Sequence, residues 1–186
     1  MRIISGNFKG KKILEPKDVY TRPLKDLTKE SIFNIINHSN KFKVKIEGSV
    51  ILDLFSGVGS FGIECLSRKA DKVYFVENYK NVLPILKKNL SGLKSINNFE
   101  IIEKDIYNED IFKNFNQIFD IIFLDPPYKD KNIEKTLLKI KASNILKNNG
   151  VLILHRHKKE KENFSDEIKI IEEKIYGISK IIFFTF

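Results

Sequence analysis

Residues 125–128, Asp-Pro-Pro-Tyr, form the motif with the most specific chemistry in this sequence. Two consecutive prolines fix the backbone and remove two N–H donors, which leaves carbonyl oxygens facing outward. The Asp125 carboxylate and a nearby carbonyl can accept both hydrogens of one amino group, while the Tyr128 ring stacks on the base that carries it. This grip frees the lone pair of an exocyclic amine to attack a methyl sulfonium, and the carboxylate stabilises the charge that develops on nitrogen. A rigid turn after a strand is the alternative interpretation.

A glycine-rich segment, residues 53–62 (Asp-Leu-Phe-Ser-Gly-Val-Gly-Ser-Phe-Gly), is the second motif. The spacing of Gly57, Gly59 and Gly62 matches the G-x-G-x-x-G fingerprint of nucleotide-binding loops, between a predicted strand and a predicted helix. Such glycines let the backbone pass close to a ligand and present N–H groups at a helix start. Glu77, at the end of the next strand, strengthens this interpretation because a carboxylate there can accept both hydroxyls of a ribose.

Two ligands fit the glycine loop, a nicotinamide dinucleotide and S-adenosylmethionine. A dinucleotide would place two phosphate charges over the loop, and Asp53 at its entrance would oppose them. The ammonium and sulfonium groups of S-adenosylmethionine are cationic, so Asp53 favours that ligand; alternatively, Asp53 only caps the turn. Asp105, after the third predicted strand, has two interpretations, a hydrogen bond to the adenine amino group or the N-cap of the following helix.

The rest of the chain predicts a sheet that would bring these motifs together. From residue 49 onward, apolar strand-like runs alternate with helical stretches, which is typical of a parallel sheet covered on both faces. The predicted strands are 49–54, 72–76, 99–102, 119–124 and 151–154, and the predicted helices are 60–68, 80–90, 106–113 and 133–145. Runs at 168–176 and 181–186 flank Gly177 and predict an antiparallel hairpin at the sheet edge. The expected fold is α/β, a Rossmann-like seven-stranded, mostly parallel sheet with this C-terminal hairpin.

Residues 1–45 are predicted to form a small N-terminal extension, and residues 46–186 the main domain. Short strands at 2–5 and 11–14 are expected to pair as a β-hairpin, followed by a helix over 24–38. Seven basic and two acidic residues lie within residues 1–25, which is more than half of the net charge of +9. We expect this basic arm to bind nucleic-acid phosphates. A solvated, lysine-rich surface is the alternative.

Composition excludes several other classes of protein. With 186 residues, 42% hydrophobic and 31% charged, the chain can bury a core and is neither disordered nor a disulfide scaffold. The single Cys65 cannot form an intrachain disulfide and is expected in the core. The sequence has no run of 18 apolar residues and no apolar N-terminal segment, which predicts a cytoplasmic protein. His155 and His157 are too few to complete a metal site, so no metal is expected.

Together with the N-terminal segment, the two motifs resemble the RsmD family of class I S-adenosylmethionine-dependent methyltransferases. These bacterial enzymes act on the N2 amino group of one guanine in 16S ribosomal RNA. The N-terminal residues that carry the resemblance are 2–6 (Arg-Ile-Ile-Ser-Gly), 21–23 (Thr-Arg-Pro) and 29–34 (Lys-Glu-Ser-Ile-Phe-Asn). The resemblance implies S-adenosylmethionine as the cofactor and 16S rRNA within the assembled small subunit as the partner. We expect the enzyme to be a monomer.

The resemblance also implies roles for individual residues. The residues expected to hold the cofactor are Asp53, Phe55, Gly57, Gly59, Glu77, Asp105, Ile106 and Asp125. The residues expected to hold the guanine are Asp125, Pro126 and Tyr128. The residues expected to contact RNA are Arg2, Lys9, Lys11, Arg22 and Lys29. Residues 155–157, His-Arg-His, depart from the family pattern, in which an acidic residue is common there, and their role stays open.

Three other functions are weighed against this one. A DNA adenine-N6 methyltransferase would use the same four-residue motif, but 186 residues leave little room for a region that reads duplex DNA. A nicotinamide-dependent oxidoreductase would use the glycine loop and leave the Pro-Pro-Tyr element unexplained. A non-catalytic RNA-binding protein would account for the charge, but not for two ligand motifs at strand ends.

Overall fold

The computed structural model describes residues 1–16, 24–94, 96–107, 111–162 and 164–186. Its strands are β1 (Val50–Leu54), β2 (Lys72–Val76), β3 (Phe99–Ile102), β4 (Phe119–Leu124), β5 (Leu146–His157), β6 (Lys169–Tyr176) and β7 (Ser179–Thr185). Its α-helices are α1 (Asp26–His38), α2 (Ser60–Ser67), α3 (Leu83–Ser91) and α4 (Ile133–Ala142). Within these ranges, no helix is long and apolar enough to cross a bilayer.

The strands form one seven-stranded sheet in the order β3-β2-β1-β4-β5-β7-β6. The pairs from β3 to β5 are parallel, whereas β7 runs antiparallel to both β5 and β6. The predicted fold class is therefore confirmed, including the C-terminal hairpin. The chain winds outward from β1 to β3 and then returns to the other side of β1, so the strand order reverses between β1 and β4. In open α/β sheets a ligand crevice forms outside the carboxyl ends of the strands at such a point.

Both faces of the sheet are covered by helices, and the alternation of side chains sorts residues between the faces. One buried cluster includes Ile51 of β1, Phe123 of β4 and Ile153 of β5, together with residues of α1, α2 and α3. The other includes the next residue of each of these strands and the apolar side of α4. The strand period of two then places Asp53, Asp125 and His155 on the first face, at the carboxyl ends of three neighbouring strands.

Several boundaries differ from those predicted. The segments 2–5 and 11–14 are joined by a single antiparallel bridge between Arg2 and Lys12 instead of two strands. The described part of the predicted helix 106–113 holds only a short 3-10 helix, Phe112–Asn114. Strand β5 begins at Leu146, five residues before its predicted start, and its register with β4 shifts between Phe119 and Ile121. Polar residues 147–149 in this irregular stretch lack a strand-like alternation, which is why the sequence does not predict it.

The N-terminal segment packs on the main sheet through apolar side chains and through one buried carboxylate. Ile3, Ile13 and Ile32 belong to the same buried cluster as the central strands. Glu64 of α2 is fully buried and accepts hydrogen bonds from the backbone N–H groups of Ile4 (2.8 Å) and residue 5 (2.9 Å). The division at residue 45 stays a prediction, and the two predicted parts share a hydrophobic core.

The structure contradicts the prediction that Lys29 contacts RNA. Its side chain is 0% exposed, and the ammonium lies 3.5 Å from Glu64 Oε2 and 3.7 Å from Asp26 Oδ1. The ammonium also donates a hydrogen bond to the carbonyl of Arg2 at 2.8 Å. Burial lowers the pKa of Lys29, and the two carboxylates oppose that shift. Lys29 precedes Ile32, Phe33 and Ile36 by three, four and seven residues, so the helical period puts it on the buried face of α1. There the buried Glu64 on α2 supplies a partner that no local pattern reveals.

Replacing Lys29 with Met should therefore reduce stability. The variant removes one of two cations that lie against the buried Glu64 carboxylate, and Arg68, at 2.9 Å, remains as the other. We therefore expect the free energy of unfolding to fall by about 2 kcal/mol. Urea denaturation measures this change. Exposed Lys25, on the preceding turn, is the matched control, and Lys25→Met should change stability by less than about 0.5 kcal/mol. A Lys29→Met protein of unchanged stability that binds RNA more weakly would restore the predicted RNA contact.

Candidate active site

Three carboxylates gather at the carboxyl edge of the sheet. Asp53 lies near the end of β1, Glu77 follows β2, and Asp125 follows β4. The in-register pairing of Leu54 with Val76 and with residue 124 aligns these strand ends. Asp53 is 1% exposed and Glu77 is 8% exposed, whereas the Asp125 side chain keeps 20% of its surface accessible. The sequence motifs thus converge on one acidic edge, and Asp125 is its accessible member.

Burial raises the pKa of Asp53 well above its ordinary value of 3.8. The backbone N–H of Gly62 opposes this shift, and the neighbouring carboxylates Asp125 and Glu77 add to it. The Gly62 N–H donates to Asp53 Oδ2 at 3.0 Å, in the first turn of α2. Asp53 therefore caps the helix start, as the alternative interpretation holds, while it also contributes a carboxyl group to the acidic edge.

The glycine loop has the unusual backbone that its sequence predicts. Gly57 (φ 55°) and Gly59 (φ 85°) lie in the left-handed region, where glycine has no steric penalty. Phe55 lies there too (φ 58°), a conformation that is rare for a bulky residue and that recurs at functional sites. At Gly62 an added Cβ would lie 2.3 Å from the Phe75 ring, so this glycine allows α2 to pack closely on β2.

Glu77 ties the glycine loop to the loop that follows β2. Its Oε2 accepts the N–H of Gly57 at 2.7 Å, and its Oε1 accepts the N–H groups of Asn78 (2.9 Å) and Tyr79 (2.8 Å). A carboxylate offers about four acceptor positions, of which these contacts use three. A ribose hydroxyl would have to take the remaining position or replace one of these donors.

Three of the residues predicted to hold the cofactor, Phe55, Asp105 and Ile106, follow β1 and β3. The rings of Phe55 and Tyr107 are 5.8 Å apart at an interplanar angle of 54°. Ile106 is buried, at 4% exposure, beside them in sequence. Asp105 is exposed, and its Oδ1 accepts the N–H of Tyr107 at 2.9 Å, as in a local turn. No helix begins at residue 106 or 107, so this contact closes a local turn and does not confirm that Asp105 is an N-cap. The hydrogen bond to adenine stays a prediction.

The Asp-Pro-Pro-Tyr segment is held by His155 and Arg156, near the end of β5. His155 Nδ1 lies 2.7 Å from Asp125 Oδ1. Arg156 is 2% exposed, and it donates to the carbonyl of Pro127 (Nη1, 3.0 Å) and to that of Asp130 (Nη2, 2.9 Å). The Pro127 carbonyl also accepts the N–H of Asp130 at 2.9 Å. Since the protein itself uses the Pro127 carbonyl twice, the Pro126 carbonyl is the better candidate to accept a substrate N–H.

Tyr128 lies against the same strand end. Its ring centroid is 5.3 Å from that of His157 and 6.0 Å from that of His155, both in edge-on geometry. Residues 155–157 depart from the family pattern, and the sequence alone leaves their role open. Their contacts with the motif depend on the pairing of β4 with β5, which no local pattern specifies. Within the described ranges, no group of three or more His, Cys, Asp or Glu side chains is arranged to hold a metal ion.

The predicted RNA-contacting residues lie at different distances from this edge. The Arg2 side chain is 74% exposed and lies 4.0 Å from Asp26 at the start of α1. Lys9 is exposed near the end of α2, and Lys11 donates to the carbonyl of Gly92 at the end of α3. Because α2 has eight residues, its far end lies about 12 Å from the glycine loop. Arg22 falls outside the described residues.

Two surface depressions lie away from the candidate site. One lies beside Asp120 and Lys147 at the amino ends of β4 and β5. The other lies beside β3, along Glu100 and Phe115. Neither depression contains a residue that the motifs single out.

The chain is similar to several known proteins. A family model described as conserved hypothetical protein 95 matches residues 1–185. The ribosomal RNA small subunit methyltransferase D of Haemophilus influenzae is 35% identical over 181 residues, covering 96% of this chain and 90% of that protein. The solved structure of yhhF from Escherichia coli has a TM-score of 0.81 and 24% identity, covering 100% of this chain and 97% of that chain.

A more distant solved structure shares the fold alone. The magnesium protoporphyrin IX methyltransferase of Synechocystis PCC 6803, solved with bound SAM, has a TM-score of 0.60 and 13% identity. The match covers 86% of this chain and 78% of that chain.

The raised pKa of Asp53 predicts a pH-dependent stability. The folded protein retains a proton on this carboxyl that the unfolded chain releases above about pH 4. The stabilising effect is complete below that pH and declines as the pH rises through the folded-state pKa. In the Asp53→Asn variant, the amide side chain cannot ionise, and its oxygen can still accept the Gly62 N–H. From pH 5 to 8 the variant should therefore gain stability relative to the unmodified protein, by at most about 1.4 kcal/mol per pH unit.

Urea denaturation at several pH values measures this difference. Exposed Asp71 is the control position, and Asp71→Asn should show no comparable trend. A stability difference between Asp53→Asn and the unmodified protein that stays constant from pH 5 to 8 would contradict the prediction.

Proposed function

Because the chain belongs to the RsmD family, whose model is described as conserved hypothetical protein 95, we propose that it is an S-adenosylmethionine-dependent ribosomal RNA methyltransferase. We further propose that it methylates the N2 amino group of a guanine in small-subunit 16S rRNA. The observation that carries the proposal is the convergence of the glycine loop after β1 with the Asp-Pro-Pro-Tyr segment after β4, on either side of the point where the strand order reverses. The named relative supports ribosomal RNA as the substrate.

The acidic edge fits the proposed cofactor better than it fits a dinucleotide. The carboxylates of Glu77 and Asp125 would repel two phosphate groups and attract an ammonium and a sulfonium, whereas Asp53, whose pKa is raised by burial, contributes little charge. When bound, S-adenosylmethionine supplies an electrophilic methyl group. The residues that would hold it are Asp53, Phe55, Gly57, Gly59, Glu77, Asp105, Ile106 and Asp125. A methyltransferase of the same fold was solved with bound SAM.

In the proposed reaction, Asp125 and the Pro126 carbonyl each accept one hydrogen of the guanine amine, and Tyr128 stacks on the base. The amine nitrogen is then held with its lone pair toward the methyl carbon. A nitrogen–carbon bond forms as the sulfur–carbon bond breaks, and the electron pair of that broken bond stays on sulfur. The nitrogen must then lose one proton, for which the Asp125 carboxylate is the acceptor at hand. Positioning and the fixed negative charge supply the acceleration.

The basic arm would position the RNA through its phosphates, which orient a nucleic acid without reading its sequence. Arg2 lies beside the start of α1, Lys9 and Lys11 lie about one helix length from the glycine loop, and Arg22 is the remaining member of the proposed surface. A basic surface that extends over about one helix length suits a folded RNA. We propose that the substrate is the assembled small subunit in the cytoplasm. We propose a monomer as the active form.

Replacing Asp125 with Ala tests the chemistry. The variant loses one amine acceptor and the charge that stabilises the developing cation, so methyl transfer should fall by at least about 100-fold. Incorporation of a labelled methyl group into unmodified small subunits, followed by mass spectrometry of rRNA fragments, measures the rate and locates the modified base. Binding of S-adenosylhomocysteine, measured by calorimetry, should weaken far less than methyl transfer, because the other seven residues proposed to hold the cofactor remain in place.

Exposed Asp166 offers a matched control, because Asp166→Asn removes a carboxylate far from the motif in sequence and should retain full activity. Loss of cofactor binding together with activity in Asp125→Ala would show that Asp125 has been given the wrong role. Transfer to adenine in DNA, with no label in rRNA, would favour the alternative substrate.

The RNA surface is tested by the salt dependence of binding. Neutralising Arg2 and Lys9 by glutamine should reduce the slope of log K against log salt by about 0.7 to 0.9 for each phosphate that the protein no longer neutralises. Filter binding of a 16S rRNA fragment at several salt concentrations measures this slope. Exposed Lys45, outside the basic arm, is the control, and Lys45→Gln should leave the slope unchanged. Equal slopes for all variants would remove the arm from the RNA interface.

A further inference from the structure

We propose that His155 is a positioning residue for methyl transfer, which holds one oxygen of Asp125 so that the other faces the substrate amine. This inference rests on the proposed function. His155 Nδ1 lies 2.7 Å from Asp125 Oδ1, within hydrogen-bonding distance. The parallel pairing of Leu124 with Leu154 brings the next residue of each strand side by side.

The bond defines what each atom does. An ionised carboxylate can only accept hydrogen bonds, so His155 donates its Nδ1–H to Asp125 Oδ1. The second oxygen of Asp125 is then available to the amine, on the same carboxyl group whose rotation the imidazole restricts.

His155 also contacts the second side chain of the motif. Its ring lies edge-on to that of Tyr128, with centroids 6.0 Å apart. One imidazole thus limits the movement of both the carboxylate that would hold the amine and the ring that would stack on the base. Arg156, the next residue, donates to the Pro127 and Asp130 carbonyls. The end of β5 therefore holds both the side chains and the backbone of the Asp-Pro-Pro-Tyr segment.

A purely structural role does not explain the other ring nitrogen. His155 is 4% exposed, and its Nε2 is buried with no hydrogen-bond partner among the described residues. Burying a polar atom without a partner reduces stability. An apolar side chain of similar size would avoid this loss. The chain instead has a histidine at the one place where its Nδ1 meets Asp125, which favours a role in the reaction.

Two variants separate the donor from the volume of the side chain. His155→Asn can place an amide N–H near the position of Nδ1, whereas His155→Leu keeps apolar volume and has no donor. We expect His155→Leu to lower kcat for small-subunit methylation by about 100-fold, the scale of a misplaced reacting group. KM for the subunits and the affinity for S-adenosylhomocysteine should change little. His155→Asn should recover most of the lost kcat.

The Tm of both variants is measured as well. If His155 had only a structural role, a loss of kcat would follow the loss of Tm, and the Asn variant would have no advantage over the Leu variant. Equal kcat in Asn and Leu variants of equal Tm, whether reduced or unchanged, would overturn the proposal. A loss confined to KM or to cofactor affinity would overturn it too.

The hydrogen bond is also testable without activity. Imidazole ¹⁵N spectra of the unmodified protein resolve the tautomer of its three histidines, and the signal missing from His155→Asn assigns His155. We expect His155 to be the Nδ1–H tautomer, and we expect its Nδ1 signal to shift in the Asp125→Ala variant. An unshifted signal would overturn the positioning role. If the spectra behave as expected but the unmodified protein methylates no RNA, the proposed function fails while the Asp125–His155 bond stands.

Discussion

The site depends on one constraint, the parallel pairing of β1 with β2 on one side and β4 on the other. This pairing ends three strands at the same edge of the sheet, and it therefore gathers Asp53, Glu77 and Asp125. Carboxylates so placed repel one another and lose hydration, which is why the pKa of Asp53 is raised. The fold tolerates the arrangement because backbone N–H groups of the adjoining loops donate to Asp53 and Glu77.

Buried polar side chains fix the loops that this constraint brings together. Glu77 joins the glycine loop to the next loop, and Arg156 joins the Asp-Pro-Pro-Tyr segment to β5. Glu64, away from the acidic edge, joins the N-terminal segment to α2 with the help of Lys29. In each case a charged group is buried with several partners at once, an arrangement that depends on all of them being present. Such interactions hold a site rigidly without adding to its exposed surface.

The distribution of charge separates two kinds of cation in this chain. Lys29 and Arg156 carry charge but are buried and bonded within the protein, so they serve the structure of the site. Arg2 and Lys9 are exposed, and they alone among these four can meet a phosphate. Net charge therefore indicated the class of partner, whereas the burial of each side chain decided which basic residues are available to it.

The sequence by itself determined the fold class and the two motifs, because apolar periodicity, glycine spacing and consecutive prolines act locally. It also placed Cys65 in the core, where the structure has it. It could not determine the partner of Lys29, the start of β5, or the role of residues 155–157. Each of these depends on residues distant in the chain. The partner of Lys29 is Glu64 on another helix, and the start of β5 depends on a shifted register with β4. The role of residues 155–157 depends on Asp125, which follows the neighbouring strand. Only the tertiary structure decided them, because hydrogen bonds and ion pairs form between groups that folding brings within about 3 Å, and sequence spacing does not encode that distance.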